Sequence, residues 1–269
     1  MTVMLDGATR LIPIFGDPIA QVKAPAGLTA EFARRGRNTM VVPFHVTPDD
    51  FGRVVASLGP VRNVDGFIAT VPHKFAACAQ CATLSPRAKF LGVANVVRRS
   101  GDGRWHGDML DGLGYVRGLA SSGCDLEGRR ALLVGAGGAG SAIALALLDN
   151  GVTALAIHDT DPAKRDALIA RLAAIHSGKV LPGSASPVGF DLVINATPRG
   201  MRSDDPLPVE ADRIDPACFV GDVITVPEVT PLLQIARAKG CGTLSGVGMF
   251  ESSIALMAEF FLDGQVVKA

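Results

Sequence analysis

The sequence has no excess of charge of either sign, because 26 lysine and arginine residues balance 26 aspartate and glutamate residues. No block of basic residues stands out from this balance, so neither nucleic acid nor an anionic membrane is indicated as a partner. We therefore expect a small-molecule partner. The 269 residues are 48% hydrophobic, which suffices for one large domain or two of ordinary size, and we favour two.

Cysteine is scarce as well. The five cysteines are an odd number in a chain that is long enough to fold without disulfides, so free thiols are expected. Cys78 and Cys81 form a Cys-x-x-Cys pair, but neither a second pair nor a histidine cluster completes a zinc site. The sequence therefore predicts no bound metal.

Sequence signals for export, membrane insertion and three common kinds of catalysis are also absent. Asp6 precedes the first lysine or arginine and no long apolar core follows it, which is unlike a signal peptide. Residues 131–148 are uncharged, but their glycines and strand-to-helix pattern argue against a membrane span. We expect a cytoplasmic protein. The metalloprotease helix pair, the Walker-type loop and the Gly-x-Ser-x-Gly elbow are missing, so metal-dependent hydrolysis, phosphoryl transfer and serine hydrolysis lose support.

Apolar runs and helical segments alternate through the first part of the chain. The predicted strands are residues 10–15, 40–45 and 65–70, and the predicted helices are residues 26–35 and one that begins at Thr47-Pro48. Thr47 is expected to be the N-cap of that second helix, with Pro48 in its first turn. Such alternation predicts a largely parallel sheet with helices on both faces.

A hairpin and a second set of strands follow. Residues 92–98 and 103–106 flank a Ser-Gly-Asp-Gly turn and predict an antiparallel hairpin at an edge of the first sheet. Further strands are predicted at residues 131–134, 154–158, 179–181, 191–195, 219–224 and 242–245, and a last helix at residues 249–262.

The most informative stretch, residues 131–148, combines a strand, a glycine turn and a helix. Gly135, Gly137 and Gly140 fit the spacing Gly-x-Gly-x-x-Gly, and the helix directs its free N–H groups and positive dipole end toward the turn. The next strand ends at Asp159, the distance expected for an acid that binds a ribose. The pattern predicts a Rossmann-type, doubly wound domain whose pyrophosphate-binding residues are Gly135, Gly137, Gly138, Ala139 and Gly140. The alternative is a glycine turn that only packs a helix on a sheet.

Seven motifs follow one another along the chain. They are Gly16-Asp-Pro-Ile-Ala-Gln-Val-Lys-Ala-Pro25, Thr70-Val-Pro-His-Lys74, Gly92-Val-Ala-Asn95, Gly107-Asp-Met-Leu-Asp-Gly112, Asn195-Ala-Thr-Pro-Arg-Gly-Met201, Thr230-Pro-Leu-Leu233 and Gly246-Val-Gly-Met249. In this order they resemble the motifs of the shikimate and quinate dehydrogenases, over residues 14–264. The resemblance implies an α/β oxidoreductase that transfers a hydride between a nicotinamide dinucleotide and a ring hydroxyl or ketone.

The resemblance also implies two domains and a set of site residues. An N-terminal α/β substrate domain with a mostly parallel mixed sheet is expected over residues 1–111 with a returning segment 247–269. A Rossmann-type NAD(P)-binding domain is expected over residues 112–246. Lys74 and Asp111 fall on the family's catalytic lysine and aspartate, in a cleft between the domains. The resemblance further implies that Thr70 and Asn95 bind the substrate. The residues that it assigns to cofactor binding are Asn195, Thr197 and Gly246.

The chain departs from the family at groups that hold the substrate. The Ser-x-Ser of the first loop is Val22-Lys23-Ala24, and the asparagine two residues before Thr70 is Ile68. A tyrosine and a glutamine are replaced by Thr225 and Ser253. Because hydrogen bonds to a carboxylate strengthen its binding, we expect a related cyclic hydroxy acid or alcohol rather than shikimate. The remaining candidates for substrate contact are Lys23, Thr225 and Ser253, with Gln21 and His73 as further candidate donors.

Asp159 also bears on the choice of cofactor. NADP-dependent members of the family tend to carry Asn-Arg-Thr where this chain has His158-Asp159-Thr160. An acid at this position binds the ribose hydroxyls of NAD and repels a 2′-phosphate, so NAD is expected. Lys164 and Arg165 leave NADP as the alternative. The oligomeric state stays open, with a homodimer as one option.

Three alternative functions stay open. They are a catalytically silent dinucleotide-binding sensor or regulatory protein, an NADP-dependent shikimate dehydrogenase proper, and a folate-type methylene dehydrogenase with a similar two-domain layout. Retention of both Lys74 and Asp111 counts against the sensor. The pairing of Thr-x-Pro-x-Lys with Gly-Asp-x-x-Asp-Gly favours the shikimate-like branch over the folate-type enzyme.

Overall fold

The computed structural model describes residues 5–263, so residues 264–269 of the predicted returning segment lie outside the described part of the chain. The chain divides into two compact units. One comprises Met1–Leu110 with Ser253–Ala269, and the other comprises Asp111–Ser252. The last helix, Gly246–Asp263, therefore contains the point at which the chain re-enters the first unit.

A six-stranded mixed sheet forms the centre of the first unit. Its strands are β1 (Arg10–Gly16), β2 (Thr39–His45), β3 (Gly66–Ala69), β4 (Thr83–Leu84), β5 (Val96–Arg99) and β6 (Trp105–Asp108). They lie in the order β2-β1-β3-β5-β6-β4. Strands β2, β1 and β3 run parallel to one another, whereas β5 is antiparallel to both β3 and β6.

The predicted hairpin forms, but it does not lie at the sheet edge. Strands β5 and β6 pair in antiparallel register, and the two-residue strand β4 then pairs with β6 in parallel at the edge itself. The prediction of an antiparallel edge was wrong, because β6 still had unpaired backbone groups on its outer side. Ala82 N donates to Trp105 O at 2.9 Å and Ser85 N donates to Gly107 O at 3.0 Å, which satisfies them.

The helices of the first unit are α1 (Ala24–Arg34), α2 (Pro48–Ser57), α3 (Lys74–Ala79) and α4 (Pro86–Leu91). Helix α1 begins two residues before the predicted start, because Pro25 fits the first turn of a helix. Thr47 is the N-cap of α2 as predicted, although its side chain bonds to Asp50 Oδ2 rather than to a backbone N–H.

Aromatic side chains fill the core beneath α2. The Phe15 ring packs edge-on against Phe51 and Phe67, with ring centroids 5.6 Å apart in each pair. The end of the last helix belongs to this unit as well. There Phe261 is buried and its ring lies 6.4 Å from that of Phe32 in α1.

All pairings in the six-stranded sheet of the second unit are parallel. Its strands are β7 (Arg130–Val134), β8 (Ala154–His158), β9 (Val180–Pro182), β10 (Leu192–Asn195), β11 (Phe219–Asp222) and β12 (Gly242–Leu244). Their order is β12-β11-β10-β7-β8-β9. Counted from β7, this is the 3-2-1-4-5-6 order of the doubly wound dinucleotide-binding fold, so the predicted α/β fold class is confirmed.

The helices of the second unit are α5 (Asp111–Ser121), α6 (Gly138–Asp149), α7 (Pro162–Ala173), α8 (Pro231–Ala238) and the first part of α9 (Gly246–Asp263), with a 3-10 turn at Ala211–Arg213. Among residues 5–263, no helix is both long and apolar enough to cross a bilayer. Strand β11 ends two residues before the prediction, since Ile224 N bonds to the side chain of Asp222 at 3.0 Å instead of to a neighbouring strand.

Candidate functional site

The loops that follow β1, β3 and β6 meet at one edge of the first sheet. Thr70 N donates to Phe15 O at 2.9 Å, and Ala69 N donates to Asn95 O at 2.8 Å. Asn95 N in turn donates to Asp108 O at 3.0 Å. These backbone bonds bring the Thr70-to-Lys74 motif and Asn95 together, although they are 21 or more residues apart in the sequence.

The first loop packs directly on the Thr70-to-Lys74 motif. Asp17 N donates to Val71 O at 3.0 Å. A Cβ added to Gly16 would lie 2.6 Å from Thr70 Cγ2, so any larger residue at this position would displace the Thr70 side chain. The two motifs therefore form one continuous surface at the sheet edge.

Lys74 and Asn95 are both buried at this edge. Lys74 begins α3, and its carbonyl oxygen accepts from Ala94 N at 3.0 Å. Asn95 Oδ1 accepts from Leu110 N at 2.8 Å, in the segment that leads to Asp111. Hydrogen bonds with the neighbouring backbone thus position Lys74 and Asn95, two of the residues predicted from the motifs.

Asp111 is the first residue of α5 in the second unit and is also buried. A carboxylate in the first turn interacts favourably with the helix dipole. A Cβ on Gly112 would lie 2.2 Å from Ala142 O, so α5 approaches α6 closely at this residue. The position of Asp111 therefore depends on the glycine that follows it.

The other predicted substrate contacts have varied environments. Lys23 is exposed just before α1, Ser253 is buried in α9, and Thr225 is half-buried after β11 in the second unit. The apolar residues Ala24 and Ile68 are both buried. Positions that carry polar groups in the resembled family are thus apolar and shielded from water here.

His73 and Gln21, the two further candidate donors, each have a hydrogen-bond partner in the protein. Its Nε2 atom bonds to Val46 O at 2.7 Å, and its ring stacks on Phe51 with centroids 4.6 Å apart. Burial lowers the pKa of His73. Gln21 Nε2 donates within its own loop, to Pro18 O at 2.9 Å. His73 thus binds the loop after β2, whereas Gln21 binds within its own loop. Their suggested role as donors to the substrate stays a prediction.

Sequence reasoning missed Asp108, which is buried at the end of β6. Its Oδ1 atom accepts from Arg87 Nε at 2.8 Å and from Met109 N at 2.7 Å. Arg87 Nη2 also bonds to Oδ2, and the Ser85 hydroxyl donates to Oδ1. The carboxylate thereby ties α4 to the segment that carries Leu110. The available signal was its place in the motif Gly107-Asp-Met-Leu-Asp-Gly112, three residues before Asp111.

In the glycine turn of the second unit, Gly135 and Gly140 are closely packed against backbone atoms, whereas Gly137 faces open space. Gly135 has φ +107°, and a Cβ there would lie 2.8 Å from the carbonyl carbon of Ala196. A Cβ on Gly140 would lie 2.0 Å from Gly135 O. At Gly137, the N-cap of α6, a Cβ would meet no atom within 4 Å. Close packing around open space at a helix N-terminus fits a pyrophosphate.

Asp159 bonds directly to this turn. Its Oδ2 atom accepts from Ala136 N at 2.7 Å, and its Oδ1 atom accepts from Asp161 N at 2.9 Å. Each oxygen of a carboxylate has two acceptor positions, so these bonds are compatible with a ribose diol at the same group.

The two nearby cations are paired with acids. Lys164 Nζ lies 3.5 Å from Asp161 Oδ2, and Arg165 Nε lies 2.8 Å from Asp166 Oδ1. Asp161 also caps α7, because its Oδ1 atom accepts from Ala163 N at 3.0 Å. This corner of the unit therefore carries three acids around the two cations.

Asn195 closes β10 beside the glycine turn and is fully buried. Its Oδ1 atom accepts from Thr197 N at 3.0 Å and from Thr197 Oγ1 at 2.7 Å. Its Nδ2 atom donates to Arg199 O at 3.0 Å. Asn195 thus holds the loop of residues 196–199, while Thr197 in that loop is half-buried.

Gly246 begins α9, and a Cβ there would lie 2.3 Å from Ile224 O. The helix start therefore packs tightly on the segment that leaves β11.

Asp222 at the end of β11 is a second residue that sequence reasoning missed. It is fully buried, and its carboxylate accepts from Ile224 N at 3.0 Å, Thr230 Oγ1 at 2.8 Å and Asn195 Nδ2 at 3.2 Å. Burial raises the pKa of Asp222 to about 6. The available signal was an acid that ends an apolar strand next to the strand of Asn195.

The Cys-x-x-Cys pair has no sign of metal or thiol chemistry. Cys78 and Cys81 are free and half-buried, and burial raises the pKa of both thiols, that of Cys81 to about 12. Thiols with raised pKa values are poor nucleophiles. Among residues 5–263, no group of three or more His, Cys, Asp or Glu side chains is placed to hold a metal ion.

Comparison with known proteins covers both units. Residues 14–97 match the family model of the shikimate dehydrogenase substrate binding domain. A shikimate dehydrogenase (NADP(+)) from Rubrobacter xylanophilus is 35% identical over 248 residues, which cover 90% of this chain and 87% of that protein.

Two solved structures resemble the whole chain. Quinate dehydrogenase from Corynebacterium glutamicum in complex with NAD has a TM-score of 0.84 at 27% identity, covering 95% of this chain and 94% of that one. Ligand-free 5-ketofructose reductase of Gluconobacter sp. strain CHM43 has a TM-score of 0.82 at 28% identity, covering 95% and 93%.

Proposed function

The chain belongs to the shikimate dehydrogenase family of NAD(P)-dependent oxidoreductases, and from this premise we propose that it oxidises or reduces a ring hydroxyl or ketone of a shikimate- or quinate-like cyclic substrate. The observation that supports this most directly is the buried sheet edge of the first unit, where the Thr70-to-Lys74 motif meets Asn95. The dinucleotide supplies or accepts the hydride when it is bound.

The two domains divide the binding tasks in this proposal. Residues 1–111 with the returning segment 247–269 bind the substrate, which the family match over residues 14–97 supports. Residues 112–246 bind the dinucleotide, which the strand order of the second sheet supports. The pyrophosphate is held by the turn from Gly135 to Gly140, and Asp159 binds the ribose.

The chain's own side chains handle the proton. Lys74 Nζ exchanges a proton with the reacting oxygen, and Asp111 is the second catalytic residue. Thr70 and Asn95 hold the ring, with Lys23, Thr225 and Ser253 as outer contacts. On the cofactor side, Asn195 acts through the loop that it holds, Thr197 lies in that loop, and Gly246 packs on the segment that leaves β11.

Two cofactors are candidates, and different observations support them. The name of the Rubrobacter relative specifies NADP(+), which supports NADP. The environment of Asp159 supports NAD, because its carboxylate repels a 2′-phosphate and both nearby cations already face acids. The ratio of kcat/KM for NAD to that for NADP with one substrate decides between them.

Two kinds of substrate are candidates as well. The names of the curated relatives favour shikimate itself, so an NADP-dependent shikimate dehydrogenase is the version with the broader support. The buried apolar residues Ala24 and Ile68 favour a substrate with fewer polar groups. A similar fold in a protein named as a 5-ketofructose reductase shows that relatives include enzymes with other substrates.

The test is a spectrophotometric screen of the purified protein with NAD and with NADP over shikimate, quinate and related cyclic hydroxy acids and alcohols. We expect turnover of at least one substrate and a loss of roughly 10²-fold or more in kcat for Lys74→Ala, because general acid–base groups contribute that much. Dinucleotide affinity of the variant should stay within about twofold. Efficient turnover of shikimate would identify the shikimate version, and undiminished turnover by Lys74→Ala would refute the role of Lys74.

A further inference from the structure

Asp222 is fully buried at the carboxyl end of β11, and no step of the proposed chemistry uses it. A buried carboxylate destabilises the folded protein unless hydrogen-bond donors surround it. Here the donors come from three separate segments, namely the amide of Asn195 at the end of β10, the backbone of Ile224 and the hydroxyl of Thr230 at the N-terminus of α8.

Two acceptors of Nδ2, the Arg199 carbonyl and the Asp222 carboxylate, fix the orientation of the Asn195 amide. Its Oδ1 atom accepts from both the N–H and the hydroxyl of Thr197, whereas its Nδ2 atom donates to the Asp222 carboxylate. In the reversed orientation, the NH₂ group would face the Thr197 donors and the oxygen would face a carboxylate. Asp222, together with Arg199 O, thus favours the orientation that holds Thr197.

The loop that Asn195 holds lies against the glycine turn. A Cβ on Gly135 would lie 2.8 Å from Ala196 O and 2.9 Å from Thr197 Cγ2. Strands β7 and β10, which precede the turn and the loop, are neighbours at the point where the strand order reverses. Ligands of doubly wound sheets bind at that point.

We propose that Asp222 is a positioning residue for the dinucleotide site. Through the Asn195 amide it fixes residues 196–199 as the wall opposite the glycine turn. This inference rests on the proposed function, because it assumes that a nicotinamide dinucleotide binds at the turn.

The test variant is Asp222→Asn, which keeps the size of the side chain but replaces one acceptor by a donor. The new NH₂ group can face the Thr230 hydroxyl, which accepts as well as donates, so Asn195 Nδ2 keeps one uncharged oxygen as acceptor in place of the carboxylate. We expect the Kd of NADH, measured by fluorescence titration, to rise at least about tenfold.

The matched control is Thr230→Val. It removes another hydrogen bond to Asp222 and the side-chain cap of α8, but it leaves the bonds between Asn195 and Thr197 in place. It should lower the unfolding midpoint while the Kd of NADH stays within about twofold. A purely structural role of Asp222 would make the two variants weaken binding alike, which would overturn the inference.

A second variant, Thr197→Val, tests the same series of hydrogen bonds at Thr197. This residue is half-buried, so the variant is expected to fold. It removes the hydroxyl that links Asn195 Oδ1 to Arg199 N. Its Kd should rise about fivefold, and the double variant with Asp222→Asn should bind within about threefold of Asp222→Asn alone, because both act through one loop.

The outcomes separate the two proposals. If the unaltered protein binds neither NADH nor NADPH, the proposed function fails and the positioning role fails with it. If the unaltered protein binds NADH and Thr197→Val binds equally well, the positioning role fails while the proposed function stands. If Asp222→Asn and Thr197→Val weaken binding additively, the two residues act independently and the inference is overturned.

Discussion

At the scale of single residues, Gly140 and Gly137 differ in the space around them. A Cβ on Gly140 would lie 2.0 Å from the backbone oxygen of Gly135, whereas a Cβ on Gly137 would meet nothing within 4 Å. We expect Gly140→Ala to cost about 1–3 kcal/mol of stability, the usual cost of overpacking. Gly137→Ala, with φ −76°, should change it by less than about 0.5 kcal/mol. Urea unfolding measures both, and equal costs would contradict the geometry.

The titration of Asp222 gives a residue-scale prediction with a definite sign. Its folded-state pKa is raised to about 6 from a usual value of 3.8, so the folded protein keeps a proton that the unfolded chain releases. The stabilisation from that proton is complete below about pH 4 and is lost as the pH rises through about 6.

Asn does not titrate, so the stability of Asp222→Asn relative to the unaltered protein should rise with pH. We expect a gain of up to about 1.4 kcal/mol per pH unit between about pH 4 and pH 6. Urea unfolding of both proteins at several values in this window measures the difference. A difference that stays constant with pH would contradict the assignment.

At the scale of elements, the ion pair between Arg87 and Asp108 joins α4 to the end of β6. Arg87→Ala leaves the Asp108 carboxylate buried without its cation, and we expect a loss of about 1.5–3 kcal/mol in unfolding free energy. Arg53→Ala is the matched control, because Arg53 pairs with Asp50 between exposed side chains. That variant should leave the unfolding midpoint unchanged. Equal losses in the two variants would show that burial of Asp108 is unimportant.

The elements also show why some features were predictable from the sequence. The strand, glycine turn and helix of residues 131–148 were predictable, because apolar runs and glycines determine the secondary structure of the residues around them. The two-residue strand β4 has no periodicity of its own and exists because β6 offers it unpaired backbone groups. Similarly, β11 ends where the side chain of Asp222 takes the N–H of Ile224.

Ordered motifs selected Lys74, Asn95 and the glycine turn as candidate site residues. They did not indicate the hydrogen bonds that hold each of these features within its own unit. Arg87 pairs with a carboxylate 21 residues away, and Asn195 meets one 27 residues away. Such pairs depend on strand order, which single-residue patterns do not encode.

At the scale of the whole molecule, the last helix completes the core of the first unit. Phe261 is buried against Phe32, and a Cβ on Gly66 would lie 2.9 Å from the Phe261 ring. We expect Phe261→Ala to cost about 3–5 kcal/mol in unfolding free energy. NADH affinity should stay within about twofold, because these contacts lie in the first unit.

The control for this prediction is Phe75→Ala, which removes the same ring from a half-exposed position and should cost less than about 1 kcal/mol. Loss of NADH binding in Phe261→Ala under conditions where the variant is folded would contradict the division of the chain into these two units.

The return of the chain to the first unit at Ser253 also sets an order of events on the ribosome. The second unit is one uninterrupted stretch, Asp111–Ser252, so all of its strands have been synthesised before the last helix is finished. The first unit begins earlier but waits for Phe260 and Phe261, which are added after more than 140 intervening residues. A chain that ends before these phenylalanines would therefore contain every strand of the second unit but leave an apolar face of the first unit uncovered, the kind of surface that chaperones bind.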